Sequence, residues 1–213
     1  IESGKMTLVN REYDTRRMLE GIVDIIAIQA GKKKIDLICN ISPDIPAKLY
    51  GDDVRIRQVL LNLLTNAVKY TPEGSVTFSV AGKRIGSNII MKYTVKDTGI
   101  GIKKEDMSKL FESFERIEED RNRNIEGTGL GMSITTSFLR MMNSELKVES
   151  KYGEGSSFSF DIRQPVMNME VIGNLQERLE NKSVCYSYAA SFVNPDINVL
   201  VVDDNYANRK VFT

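Results

Sequence analysis

The chain contains no histidine and only two cysteines in its 213 residues. The lack of histidine excludes histidine-based catalysis and histidine-ligated metal sites within this chain. Cys39 and Cys185 lie far apart with no metal-ligand spacing, so we expect reduced thiols, with Cys39 buried in a strand. Lys+Arg and Asp+Glu balance at 29 each. The charge therefore favours neither a nucleic acid nor an anionic membrane as partner.

Long apolar runs are also missing, and no run approaches the length of a bilayer-spanning helix. The N-terminus shows no signal-peptide pattern. Hydrophobic residues make up 41% and charged residues 27%, as in ordinary soluble globular proteins. We therefore expect a cytoplasmic chain without direct membrane contact. Whether a longer parent protein is anchored in the inner membrane is left open.

Residues 52–74 predict the helix around which the other motifs are arranged. Asp52 or Asp53 caps its start, and Thr71-Pro72 with Gly74 ends it. At about 100° per residue, one arc of this helix is apolar. That arc contains Ile56, Leu60, Leu61, Leu63, Leu64, Ala67 and Val68. The opposite arc carries Arg55, Gln58, Asn62, Thr65, Asn66, Lys69 and Tyr70.

The polar arc has an unusual composition, with Asn62 and Asn66 one turn apart and Lys69 after them. Asparagine is a mediocre helix former, so two on one stripe call for a reason. Amide oxygens suit a hard cation such as Mg²⁺ that shares the phosphates of a nucleotide, and a lysine can neutralise those phosphates. An ordinary amphipathic surface helix also fits this segment taken alone.

The remaining periodicity predicts an alternation of helices and strands. A helix over residues 15–30 is capped by Asp14 and ended by Gly31. Its buried stripe is Met18, Leu19, Ile22, Ile25 and Ile26. Strands are expected at 35–41, at 75–84 and 88–96 as a hairpin, and at 145–150 and 156–163. An apolar helix is expected to include Phe138, Leu139 and Met142.

Two glycine-rich segments are candidate ligand contacts. In the first, Asp97 at a strand end precedes Gly99 and Gly101. Its carboxylate could accept a hydrogen bond from an exocyclic amine such as that of adenine, although the glycines also fit a plain turn that needs positive φ. In the second, the charged segment 115–128 has the composition of a mobile lid and runs into the glycines at 127–131. Glycines at a helix N-terminus form an anion site.

These motifs follow the order of four known sequence boxes, termed N, G1, F and G2. They are Asn62-x-x-x-Asn66 with Lys69-Tyr70, Asp97-x-Gly99-x-Gly101, Phe111-x-x-Phe114 and Gly127-x-Gly129-x-Gly131. With the turn at 153–156, the chain resembles the ATP-binding catalytic domain of sensor histidine kinases in the GHKL superfamily over roughly residues 13–165. The resemblance implies an α/β fold of the Bergerat type, an α+β two-layer sandwich with a mixed sheet covered on one face by helices.

The resemblance also implies roles for individual residues toward ATP and Mg²⁺. Asn62 would hold Mg²⁺, with Asn66 beside the metal and the phosphates. Lys69 and Arg116 would contact phosphate, Tyr70 would pack on the adenine, and Asp97 would accept a hydrogen bond from its amino group. The expected nucleotide contacts also include Gly99, Gly101, Ile102, Gly127, Thr128, Gly129, Leu130, Gly131 and Ser156. No general base is expected in this chain.

One position separates the reactions found in this superfamily. Members that hydrolyse ATP have a glutamate four residues before the second asparagine, and this chain has Asn62 there, which cannot act as a base. We therefore expect the γ-phosphate to be donated to a histidine on a dimerisation domain and later relayed to a receiver aspartate. The alternatives are a GHKL ATPase, an anti-sigma-type serine kinase, and a degenerate nucleotide-binding module.

The same resemblance divides the chain into four parts. Residues 1–12 are expected to end a dimerisation and phosphotransfer helix, 13–165 to form the catalytic domain, and 166–196 to form a linker. Residues 197–213, with Asp203-Asp204 after an apolar strand, look like the truncated start of a receiver domain. The expected partners are therefore that dimerisation domain and a receiver domain or response regulator.

Overall fold

The computed structural model describes residues 7–107, 110 and 130–175, and these fold into a layer of helices against a mixed sheet. In chain order the elements are β1 (Arg11–Asp14), α1 (Thr15–Lys33), β2 (Asp36–Ile41), β3 (Lys48–Gly51), α2 (Asp53–Tyr70), β4 (Ser75–Ile85), β5 (Asn88–Asp97), a 3₁₀ turn (Lys104–Asp106), α3 (Gly131–Met141), β6 (Lys147–Lys151) and β7 (Gly155–Pro165). The four residues 7–10, expected to end a helix, carry no regular structure, and β1 follows them.

The main sheet of the described region has the strand order β2-β4-β5-β7-β6. β2 runs parallel to β4, and the other neighbours are antiparallel. Along the central strands, buried and less buried residues alternate, as in Phe78 and Ser79 or Tyr93 and Thr94. One face of the sheet therefore supplies the core beneath the helices. The predicted mixed sheet with helices on one face is confirmed.

Helix α2 agrees closely with its prediction. The Asp52 side chain accepts a hydrogen bond from the backbone N–H of Arg55 at 3.0 Å, which fixes the start, and Thr71 ends the helix in extended conformation. The predicted apolar arc included Leu61 and left out Val59, whereas in the structure Val59 is fully buried and Leu61 is only half-buried. Because α1 and α3 both pack against α2, the buried stripe of α2 is shifted toward those neighbours.

Helix α1 extends further than its sequence predicts. The Asp14 cap is confirmed, but Gly31 lies inside the helix, which continues to Lys33 and is capped by Lys34 in the left-handed conformation with φ 57°. The Lys33 ammonium donates to the backbone carbonyls of Val68 and Lys69 at the end of α2, at 3.0 and 2.7 Å. This tertiary contact stabilises the last turn. Ile25, predicted to be buried, is 42% exposed.

Replacing Gly31 with alanine is expected to stabilise the domain by about 0.5–1 kcal/mol. The residue is helical and exposed, and a Cβ at this position would meet nothing within 4 Å. Urea denaturation followed by circular dichroism measures the change. A lower unfolding free energy for Gly31→Ala would contradict the helical assignment.

Residues 166–175, assigned by sequence to a linker, continue along the domain. The N–H of Val166 donates to the carbonyl of Ser87 at 3.0 Å, and the N–H of Ile172 donates to the carbonyl of Ile45 at 2.8 Å. Ile172 and Leu175 are each 1% exposed. Apolar side chains in this segment therefore extend the core beyond β7, a contribution that the sequence pattern did not reveal.

A second, two-stranded sheet was not predicted. β1 pairs antiparallel with β3, with Tyr13 opposite Leu49. Tyr13 is buried, and its hydroxyl donates to Oε1 of Gln164 on β7 at 3.0 Å. Burial raises the pKa of the Tyr13 hydroxyl above its usual range, so it stays protonated. The small sheet closes one end of the core.

Candidate functional site

The polar face of α2 meets the start of α3. Asn62 donates from Nδ2 to Oγ1 of Thr135 at 3.0 Å and lies 3.8 Å from the sulfur of Met132. Asn66, one turn later, places its Nδ2 3.9 Å from the same sulfur. A Cβ at Gly131 would overlap Oδ1 of Asn62, so a larger residue there would displace the Asn62 side chain. The last glycine of the predicted phosphate segment therefore lies against the first asparagine.

Asp97 ends β5 as a buried carboxylate that is 4% exposed. Its Oδ1 accepts hydrogen bonds from the N–H groups of Gly99 at 2.9 Å and Ser156 at 3.3 Å. Burial raises the pKa of Asp97, and these two backbone bonds partly offset the rise. No ion pair among the described residues involves Asp97. A buried carboxylate without a cation is a candidate for ligand recognition.

The turn after β5 touches two other elements through its glycines. The N–H of Ile100 donates to the carbonyl of Tyr70 at 3.2 Å, and a Cβ at Gly99 would overlap that carbonyl. Gly101 has φ 67°, and a Cβ there would overlap the carbonyl of Lys151. The two positions therefore require glycine for different reasons. Gly99 permits close approach to α2, whereas Gly101 needs both the left-handed conformation and close approach to β6.

Serine side chains hold this turn against the far end of the sheet. The N–H of Ile102 donates to Oγ of Ser150 at 2.8 Å. The hydroxyls of Ser150 and Ser156 are 2.9 Å apart, and Ser156 pairs with Asp97 in the register of β7 and β5. Asp97, Ile102 and Ser156 are therefore parts of one hydrogen-bonded unit.

Lys69 and Tyr70 form the end of α2 beside this unit. The Lys69 ammonium lies 5.1 Å from the centroid of the Tyr70 ring, and both residues are half-buried. Lys33 donates to the Lys69 carbonyl, so a cation is bonded to the carbonyl end of α2. The C-terminal end of the helix thus carries positive charge next to the glycine turn.

The described part of the chain brings most of the predicted site residues onto four elements. Asn62, Asn66, Lys69 and Tyr70 lie on α2, Asp97, Gly99, Gly101 and Ile102 at the end of β5, Leu130 and Gly131 at the start of α3, and Ser156 on β7. Arg116, Gly127, Thr128 and Gly129 lie outside the described residues, as do Phe111, Phe114 and the predicted lid. The roles assigned to all these residues stay predictions.

Two contributors were missed by the sequence interpretation. Thr135 lies four residues after Gly131, which places both on one face of α3, and this spacing could have identified it. Ser150 carries no such signal, because its contact with Ile102 joins residues 48 positions apart.

Residues 51–166, more than half of the chain, match the family described as Histidine kinase-, DNA gyrase B-, and HSP90-like ATPase. The chain belongs to this ATPase family. The match begins just before α2 and ends just after β7, so it contains all the described site residues. No described helix of this ATPase-family chain is long and apolar enough to cross a membrane.

Curated relatives of the ATPase-family chain are hybrid or sensor histidine kinases. Hybrid signal transduction histidine kinase B of Dictyostelium discoideum is 37% identical over 83% of this chain and 9% of its own length. Sensor protein GacS of Pseudomonas syringae pv. syringae is 34% identical over 78% of this chain and 18% of its own length. Signal transduction histidine-protein kinase BarA of Escherichia coli K12 is 30% identical over 87% of this chain and 20% of its own length. The chain thus spans at most a fifth of these relatives.

Solved structures share the fold. Full-length ShkA in complex with AMPPNP aligns with a TM-score of 0.65 and 26% identity, over 77% of this chain and 33% of ShkA. The catalytic domain of histidine kinase ThkA aligns with a TM-score of 0.56 and 22% identity, over 73% of this chain and 98% of that domain. The layered arrangement is therefore that of a histidine kinase catalytic domain.

Proposed function

We propose that this chain is the ATP-binding catalytic part of a hybrid sensor histidine kinase. It binds Mg-ATP and donates the γ-phosphate to a histidine on the dimerisation domain, from which the phosphate passes to a receiver aspartate. The observation that carries the proposal is the buried Asp97 carboxylate, without an ion-pair partner in the described region, at the start of a glycine turn that packs against the ends of α2 and β6. The kinship with hybrid histidine kinases supports the reaction. We place the reaction in the cytoplasm.

The Asp97 end of the site fits the adenine base. Oδ1 of Asp97 is already held by the N–H groups of Gly99 and Ser156, which leaves Oδ2 to accept a hydrogen bond from the amino group of adenine. Gly99 and Gly101 keep the turn beside this carboxylate packed against the ends of α2 and β6. Tyr70, the last residue of α2, would pack on the base.

The Asn62 end fits the phosphates and a magnesium ion. Asn62 and Tyr70 are eight residues apart on α2, or about 12 Å along the helix axis. The phosphates would therefore contact the Asn62 end of the helix and the base would contact the Tyr70 end. Because Nδ2 of Asn62 is bonded to Thr135, its amide oxygen is the atom left for a hard cation. The described residues contain no cluster of three acidic, cysteine or histidine side chains, so phosphates and water would supply the other ligands.

The chemistry left to the chain's own side chains is positioning and charge neutralisation. When bound, Mg²⁺ neutralises charge on the transferring phosphoryl group. Lys69 supplies further positive charge. It lies about one turn after Asn66, which itself lies one turn after Asn62. Asn62 has no carboxylate with which to activate water, which disfavours hydrolysis. The phosphate is thus kept for a nucleophile from another domain.

Incubation with Mg-ATP and the separately expressed dimerisation domain is expected to produce acid-labile phosphohistidine on that domain and no label on this chain. The chain has no histidine to accept the phosphate. Asn62→Ala should lose the transfer, since it removes the amide oxygen proposed for the metal, while retaining its fold by circular dichroism. Steady phosphate release without the dimerisation domain would contradict the proposal and favour an ATPase.

A further inference from the structure

The two ends of the Asn62 amide have opposite hydrogen-bonding properties. The oxygen accepts two hydrogen bonds and can bind a cation. The NH₂ group only donates hydrogen bonds, and it repels a cation. An unconstrained asparagine side chain presents either end. The side chain of Asn62 is half-buried between α2 and α3, so its neighbours decide which end faces the site.

Thr135 is the neighbour that holds the amide in place. Its Oγ1 accepts the hydrogen bond from Nδ2 of Asn62 at 3.0 Å, and Thr135 is 1% exposed, so water does not compete for this contact. The next hydroxyl along the helix behaves differently. Thr136 donates to the carbonyls of Met132 and Ser133 within α3, at 3.1 and 3.0 Å. The Thr135 contact is thus a bond between helices, not a local helix bond.

The other contacts of the amide agree with this orientation. The Thr135 hydroxyl could bond either end of the amide, but the sulfur of Met132, 3.8 Å from Nδ2, accepts and cannot donate. The sulfur therefore favours the NH₂ group on this side. On the other side, Oδ1 faces Gly131, where the absence of a Cβ leaves room for it. Turning the amide over would bring its oxygen to the sulfur and its NH₂ group to the position of the oxygen.

We infer that Thr135 is a positioning residue that holds the Asn62 amide with its oxygen toward the magnesium nucleotide. The inference rests on the proposed function. Thr135 itself does not contact the metal; it acts through Asn62. Its loss leaves the nucleotide's base contacts in place and weakens only the contribution that depends on Mg²⁺.

The test compares Thr135→Val, Thr135→Ser and Thr136→Val. Valine has nearly the shape of threonine without a hydroxyl, and serine retains the acceptor. Thr136→Val is the matched control, because it removes a hydroxyl from the same helix that does not contact Asn62. Calorimetry measures the affinity for ADP with and without Mg²⁺. Amide NMR of the nucleotide-free chain measures the side-chain resonances of Asn62.

Thr135→Val is expected to bind Mg-ADP about three- to tenfold more weakly than wild type, the worth of one hydrogen bond, with affinity for Mg-free ADP within about twofold. Its Asn62 side-chain resonances should move toward those of an unbonded amide. Thr135→Ser and Thr136→Val should match wild type.

Equal affinities of Thr135→Val and wild type for Mg-ADP would overturn the inference and leave the proposed function standing. A loss of the same size without Mg²⁺ would also overturn it, because that loss indicates a general packing role. Failure of the wild-type chain to bind ADP would overturn the proposed function itself.

Discussion

Asp97→Asn is expected to weaken ADP binding by about a hundredfold or more while leaving the fold intact. The amide oxygen can still accept from Gly99 and Ser156, so the new NH₂ group takes the place of Oδ2. It then meets the amino group of adenine, donor against donor. Losing a hydrogen bond to a charged group costs about 1.5–3 kcal/mol, and an unpaired buried donor costs about 1–3 kcal/mol more.

The substitution should also change the preferred base. Inosine diphosphate carries a carbonyl oxygen where ADP carries its amino group, and that oxygen accepts from the new NH₂ group. Calorimetric titration with both nucleotides measures the ratio, which should favour ADP in wild type and move toward inosine diphosphate in Asp97→Asn. Asp161→Asn is the matched control, because Asp161 lies on β7 and only approaches Lys147 at 3.8 Å. Unchanged affinity for ADP would remove Asp97 from the base contacts.

The raised pKa of Asp97 adds a pH signature to the same variant. Burial makes the folded state hold the proton more tightly than the unfolded state does. The contribution of Asp97 to the free energy of unfolding is therefore largest below the ordinary carboxyl pKa and falls as pH rises through the raised pKa. Asp97→Asn should remove this slope from denaturation curves recorded across that window. ADP affinity in wild type should weaken as pH falls through the same range, since the carboxylate is the better acceptor.

Asn66→Asp is expected to abolish measurable nucleotide binding without unfolding the domain. The new carboxylate would lie beside the proposed phosphates, and two like charges 4 Å apart repel by about 4 kcal/mol at a dielectric constant near 20. That energy corresponds to roughly a thousandfold in affinity. The fold should tolerate the change because Asn66 is half-buried and its described contact is a long one, 3.9 Å to the sulfur of Met132.

Asn40→Asp is the matched control for this prediction. It makes the same chemical change at an exposed residue of β2, away from α2. Calorimetry with Mg-ADP and thermal unfolding are measured for both variants. Tight binding retained by Asn66→Asp would show that Asn66 does not face the phosphates, and a large drop in its melting temperature would show a structural role instead.

The elements that the sequence predicted best are those with strong local signals. Helix α2 has a capping aspartate, a regular apolar stripe and a terminating Thr-Pro. Each of these signals depends on residues that are close together in the sequence. The hairpin of β4 and β5 alternates over residues 75–80 and 88–97 and turns at Gly86, which has φ 61°. Local chemistry decides these elements, so inspection of the sequence recovers them.

The elements that it missed depend on distant partners. β1 and β3 are four residues each, too short to show alternation, and they form because they pair with each other. Gly31 has the typical identity of a helix end, yet α1 continues because Lys33 bonds to the end of α2. At the site, Asn62 and Asp97 were recognisable from their motifs. The bond from Asn62 to Thr135 was not, because 73 residues separate the two.

The central claim is that one magnesium nucleotide binds across the polar face of α2 and the glycine turn after β5. Amide NMR during a titration with Mg-ADP tests it most directly. The account predicts resonance changes at Gly99 and Gly101 and at the side-chain amides of Asn62 and Asn66, all saturating together at one nucleotide per chain. Changes confined to the opposite face of the sheet, such as Thr94 and Ser159, would contradict it.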